Sequence, residues 1–337
     1  MMNKRDLVYS AAAHEESAHI PYTVMLTGEG YNAYGQRLLD AFAGADIKDD
    51  LKEGTIDFRE AVCLAIGNHM IQMPFPFWWF DMGPNPSVWQ DSENAPAKMC
   101  PIGRSDTPEH LAAYEAHCKF VREKYGVFTM DLIYANHFEK ANGLRGIENF
   151  LADMAAEPEY AQELLDFIVE RNMEIIPKLI NPYIDGILLG SDWGTQLDLL
   201  FSPTMWKEMI YPGQKRQFDF LKAQGKVRLL HSCGQISRIL DGVCDLGVQI
   251  LNPVQPECMD LDMLKTKWGE KLTFWGGVST QRTLPYGTPA EVRKETESVI
   301  GILAKRGGYI TSPSQEIQTD VPYENLVALI ETARAYS

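Results

Sequence analysis

Short apolar runs alternate along the chain with longer stretches in which apolar residues recur every three or four positions. The short runs, at 20–26, 75–82, 127–134, 185–190, 226–231, 248–252, 272–277 and 308–312, have the length and residue types of β-strands. Between them, Leu164, Leu165, Ile168, Ile175 and Ile176 mark one face of a helix over 159–176, punctuated by Pro158 and Pro177. Further helices are predicted over 203–224, 236–246, 289–305 and 322–336. In the last two, Thr288 and Asp320 lie just ahead of a proline in the first turn. Eight strands, each followed by helical pattern, predict an α/β fold: a (β/α)8 TIM barrel with an N-terminal helical extension, in a single domain over 1–337. An open doubly wound sheet is the alternative, but no G-x-G-x-x-G follows an early strand. The connection over 83–120 is rich in Pro, Asn, Asp and Ser and reads as a long active-site loop.

Composition narrows the partners. The chain has 337 residues, 45% of them hydrophobic, and carries a net charge of −15. That content supports a sizeable core, while the negative excess argues against nucleic acid or an anionic membrane surface as partner. The start of the sequence shows no apolar signal segment, and no apolar run is long enough to span a bilayer. Six irregularly spaced cysteines do not form a disulfide framework. The expectation is a cytoplasmic enzyme.

In a barrel the chemistry sits at the C-terminal ends of the strands. The sharpest signal there is Leu-Leu-His231-Ser-Cys233-Gly234. Residues two apart on a strand point the same way, so His231 and Cys233 can converge on a metal, and imidazole plus thiolate suits zinc. A hydrogen-bonded histidine beside a packing cysteine satisfies the same spacing. The next strand end offers Glu257 and Cys258 as further ligands, with Cys258 otherwise an ordinary loop cysteine. Cys63, Cys100, Cys118 and Cys244 read as packing residues. The aromatic cluster 75–80 is read mostly as core, whereas Trp193 and Trp275 can wall an apolar pocket. Asp81 and Asp192 are candidate acids, bases or polar anchors, or else helix caps. Gln315 belongs to a polar segment after the last strand that can hold a ligand or simply be solvated. No G-x-S-x-G, P-loop, H-E-x-x-H or C-x-x-C is present.

An ordered set of segments resembles the uroporphyrinogen decarboxylase superfamily, in its corrinoid-dependent methyltransferase-like branch. The set runs through Asp185-Gly-Ile-Leu-Leu-Gly-Ser-Asp192-Trp-Gly, Leu200-Phe-Ser-Pro203 with Trp206 and Pro212, and His231-Ser-Cys233-Gly234. It continues through Asn252-Pro-Val-Gln255-Pro, Trp275-Gly-Gly-Val and Thr319-Asp-Val-Pro322-Tyr-Glu324-Asn325. The resemblance implies a (β/α)8 barrel, commonly a homodimer. It also implies that His231 and Cys233 match a zinc motif completed in relatives by a cysteine after the last strand. Here Ser312 and Ser314 stand in that region, so Cys258 or a carboxylate such as Glu257 is the expected substitute. The implied reaction is methyl transfer between a small methylated molecule, such as a methoxylated aromatic, and a corrinoid carried by a partner protein. His231, Cys233 and Asp192 are expected to be catalytic, and Glu29, Asp81, Trp193, Gln255, Trp275 and Gln315 to contact substrate. The alternative is a decarboxylase-like lyase of porphyrin biosynthesis. Against it, the arginine-bearing segment of true decarboxylases is replaced by Val24-Met-Leu-Thr-Gly-Glu29-Gly-Tyr, which lacks guanidinium partners for a polycarboxylate.

Overall fold

The computed structural model describes residues 2–74, 107–133 and 136–337. The expected strand over 75–82, Asp81, Cys100 and most of the 83–120 connection lie outside the described residues. Among the described residues seven strands alternate with helices: β1 (Met70–Gln72), β2 (Phe128–Ile133), β3 (Gly186–Gly190), β4 (Val227–His231), β5 (Ile250–Val254), β6 (Thr273–Val278) and β7 (Tyr309–Pro313). The described residues form two compact units. One comprises 2–73, 120–130 and 249–337; the other comprises 74, 107–119, 131–133 and 136–248.

In the first unit β1 pairs in parallel with the start of β2, Met70 opposite Phe128, and β5, β6 and β7 form a parallel ladder. The segment expected as the first strand lies between these groups in extended form. On one side Thr23 N–H donates to Thr311 O and Thr311 N–H to Pro21 O; on the other His69 N–H donates to Tyr22 O. Asn68 Oδ1 also accepts the Val24 N–H, and Asn68 Nδ2 donates to Val24 O. Every residue of β6 and β7 is buried, as expected for parallel strands covered on both faces, with Thr273, Thr311 and Ser312 as their polar members. The N-terminal helix Lys4–Ala12 is capped by Asn3 and accepts a hydrogen bond from Thr273 at Ala11 O.

In the second unit β3 and β4 pair in register, Gly186 with Val227 through Gly190 with His231. Helix Pro158–Leu179 runs on past Pro177, three residues beyond the expected end at 176. Ile176 and Leu179 are both fully buried, so packing carries the helix over the missing donor. The expected helix over 203–224 is interrupted by a π turn, Trp206–Ile210, before Tyr211–Ala223. Pro212 has no N–H to continue the regular ladder, and the hydrogen-bond register slips immediately before it. Pro108–Tyr125, read from the sequence largely as loop, is a helix. Its buried stripe is only Tyr114, Cys118 and Val121, too narrow to stand out among charged neighbours. Among the described residues no helix is long and apolar enough to cross a membrane.

Candidate metal centre

The site is assembled where β3 and β4 end. Ser191 N–H donates to His231 O, Trp193 N–H to Ser232 Oγ and Gln235 N–H to Thr195 O, lacing the 191–195 loop to the 231–235 loop. So close an approach of two backbones requires glycines. A Cβ on Gly194 would lie 2.8 Å from Gln235 N, and one on Gly234, whose φ is +84°, would lie 2.5 Å from Gly194 C.

This lacing brings three side chains together. Cys233 Sγ lies 3.4 Å from His231 Nε2, and His231 Nε2 lies 3.5 Å from Asp192 Oδ1. Asp192 Oδ1 also accepts the Cys233 N–H at 2.8 Å, fixing the carboxylate against the thiol-bearing residue. One ligand atom from each of the three falls within 4.8 Å of the others. Zinc bonds of about 2.0 Å to nitrogen or oxygen and 2.3 Å to sulfur imply tetrahedral edges of roughly 3.3–3.8 Å, so the donor set and its spacing fit zinc. The His231 side chain is 23% exposed and that of Asp192 39%, so among the described residues the cluster is accessible to a further ligand. Three protein ligands and an open position are the pattern of catalytic rather than structural zinc.

The expected convergence of His231 and Cys233 is therefore present, and Asp192, expected as an acid, base or anchor, stands as the third member. Cys258 belongs to the other unit. Its Sγ lies 3.9 Å from Gln255 Oε1, and burial together with the Glu257 charge raises its thiol pKa, which disfavours thiolate. Trp193 is fully buried with its ring 5.7 Å from that of Trp206, and Trp275, inside β6, is 2% exposed. Both indoles are buried. Glu29 is exposed in the first turn of helix Gly28–Phe42. Gln255 and Gln315 line one cavity in the first unit, beyond the ends of β5 and β7.

Glu139 was missed. It sits in the first turn of helix His137–Arg145, accepts the Asp192 backbone N–H, and is pushed up to about 7 by burial and by the Asp192 charge. The only sequence signal was its place two residues beyond the polar strand-end segment read at 134–137. A glutamate inside a helix carries no spacing cue for a partner more than fifty residues away.

The uroporphyrinogen decarboxylase (URO-D) family matches residues 138–336, more than half of the chain. Over 251 residues the chain is 25% identical to the methylcobamide:CoM methyltransferase MtaA of Methanosarcina barkeri, covering 73% of this chain and 68% of that protein. To MtaA of M. barkeri strain Fusaro / DSM 804 it is 24% identical over 223 residues, 65% and 62% of the two chains. Among solved structures, a methyltransferase from Methanosarcina mazei shares the fold with a TM-score of 0.69 at 18% identity, over 100% of this chain and 99% of that one. With a family match that spans both the metal-site loops and the glutamine-lined strand ends, the chain belongs to the uroporphyrinogen decarboxylase (URO-D) family.

Proposed function

We propose that this chain is a zinc-assisted, corrinoid-dependent methyltransferase, moving a methyl group between a small methylated molecule and a corrinoid held by a partner protein. The observation that carries the reading is the Asp192–His231–Cys233 cluster, on strand ends of a chain whose relatives are named as methylcobamide methyltransferases. Those names support a methyltransferase in general. We read the fold as a closed (β/α)8 barrel in which 20–26 supplies the eighth strand, a reading supported by its hydrogen bonds to Thr311 and His69. Asp192, His231 and Cys233 would hold the zinc, with Asp192 taking the third place expected of Cys258.

Bound there, zinc would supply Lewis acidity toward the oxygen or sulfur that carries or receives the methyl group. The chain's own residues set the conditions. Cys233 must lose its proton to become a ligand, so metal uptake releases a proton and weakens as pH falls. The Cys233 N–H orients the Asp192 carboxylate before metal arrives, while Glu139 accepts the Asp192 backbone N–H. One thiolate with one carboxylate donates less electron density than two thiolates, which favours activating an oxygen leaving group over alkylating a thiol. A methoxylated aromatic fits that direction.

The test pairs two assays on the purified protein. In the first, a partner protein carrying reduced corrinoid is offered a panel of methyl donors, and methyl–cobalt formation is read by absorbance. In the second, the protein is offered uroporphyrinogen. Methyl transfer with no decarboxylation supports the reading; decarboxylation with no methyl transfer overturns it.

A further inference from the structure

In the second unit an open groove of about 660 Å³ lies where helix Ile147–Ala156, the first turns of helix Pro158–Leu179 and the π turn Trp206–Ile210 meet. Its floor is apolar: Met154 and Met209 are buried and Met205 is half-buried. Its rim is acidic. Glu159, Glu163 and Asp166 recur at the four- and three-residue spacing of a single helix face, a stripe about 10 Å long. Glu208 adds a fourth carboxylate from the π turn, a kind of irregularity that gathers at functional sites.

This stripe has no cations of its own. Further along, Glu170 pairs with Arg216 and Glu174 with Arg171. Among the described residues no ion pair reaches Glu159, Glu163 or Glu208. Lys207, next to Glu208, is turned over the Tyr211 ring, 3.3 Å from its centroid. Asp166 accepts from the uncharged Gln162 amide at 2.8 Å. Like charges three and four residues apart on a helix repel, and a cationic partner relieves that repulsion. A small cation would meet one or two of the carboxylates and leave the methionines uncovered. Methionine is flexible and polarisable, so the floor can adapt to apolar side chains laid on it. A stripe of this length matches two turns of a partner helix.

We propose that this groove docks a basic amphipathic helix of a partner protein, its cationic side chains on the carboxylate stripe and its apolar side on the methionines. The proposal goes beyond the methyl-transfer reading and does not rest on it, since it concerns only what this surface binds.

The probe is a fluorescent synthetic peptide of about five helical turns, with lysines along one face and leucines along the other. Its binding to the full-length protein is read by anisotropy. Saturable binding is expected, and a peptide with glutamate in place of every lysine should not bind. The exposed-residue variant Glu159→Gln, Glu163→Gln, Glu208→Gln should weaken the lysine peptide about tenfold or more. A charge-matched control on helix Ala45–Glu53 of the first unit, Asp46→Asn, Asp49→Asn, Glu53→Gln, should change it less than about twofold. Met205→Ser should weaken it roughly fivefold through the lost apolar contact. Equal losses in the two triple variants would mean attraction to net charge alone and overturn the proposal. So would an unchanged affinity in Met205→Ser, or no saturable binding of the lysine peptide. Sedimentation supplies the remaining check: a homodimer that the groove variant splits would make the occupant a second copy of this chain, and the proposal would fall.

Discussion

Replacing Gly234 by alanine asks whether the two site loops depend on their backbone approach. Gly234 has φ +84°, and an added Cβ would lie 2.5 Å from Gly194 C and 2.6 Å from Gly194 O and Thr195 O. Ordinary contact begins near 3.4 Å, so the loops must part by about 0.9 Å. That carries the Gln235 N–H to Thr195 O bond from 2.7 Å to about 3.6 Å and the Cys233 N–H to Asp192 Oδ1 bond from 2.8 Å to about 3.7 Å, beyond useful range. Two lost hydrogen bonds at about 1 kcal/mol each, with roughly 1 kcal/mol for a side chain in the left-handed region, predict a loss of about 3 kcal/mol. Gly225 provides the control. It has φ +67° with nothing within 4 Å of its Cβ position, so Gly225→Ala should cost only about 1 kcal/mol of backbone strain. Spreading the loops also widens the 3.4 and 3.5 Å ligand spacings past the tetrahedral edge, and zinc affinity should fall about 10- to 100-fold. Urea unfolding of the metal-free proteins and zinc competition against a chromophoric chelator read the two effects. A Gly234→Ala protein as stable as Gly225→Ala, or one that binds zinc as wild type does, would refute the reasoning.

Other expectations follow from the same contacts. Asp192→Asn keeps an acceptor for the Cys233 N–H but loses the charge, so zinc affinity should drop tenfold or more, with the metal-free unfolding midpoint within about 0.5 kcal/mol of wild type. Cys258→Ala should retain stoichiometric zinc by elemental analysis, whereas His231→Ala should not. Burial pushes Asp131 up to about 7, although Tyr114 Oη–H and Leu132 N–H donate to it. The folded protein therefore holds that proton more tightly than the unfolded chain. This stabilising contribution is full below about pH 4 and is lost as pH rises to about 7, roughly 3–4 kcal/mol in all. Asp131→Asn should flatten stability against pH over that window in urea melts. Finally, Cys63 and Cys118 are buried, with their thiols pushed up to about 11 and about 12, and should resist iodoacetamide. Half-buried Cys233 should label, and zinc should protect it, as read by peptide mass mapping.

What could be read from the sequence follows the range of the interactions involved. β3, β4, β6 and β7 each lie within one or two residues of their apolar runs, because strands buried on both faces announce themselves locally. β5 begins two residues later than expected, since the apolar run starts at Val248 but ladder pairing with β6 starts at Ile250. The H-x-C pair was legible because a two-residue strand period alone puts His231 and Cys233 side by side. Asp192 was visible as a polar strand end, but its place beside His231 and Cys233 depends on the β3–β4 register and on Gly194 and Gly234 letting the backbones touch. Glu139 depends on a helix docking beside Asp192, and nothing local encodes that contact. For Trp193 and Trp275 the sequence leaves two roles open, since an indole at a strand end suits a pocket wall and a core filler equally; the structure adds that both are buried.

Whether Asp192, His231 and Cys233 form a zinc centre is decided by X-ray absorption at the zinc edge on the zinc-loaded protein. One zinc per chain is expected, with a single sulfur at about 2.3 Å and nitrogen or oxygen ligands at about 2.0 Å, and with the sulfur lost in Cys233→Ser. A protein that takes up no stoichiometric zinc, or whose zinc–sulfur signal is unchanged in Cys233→Ser, would contradict it.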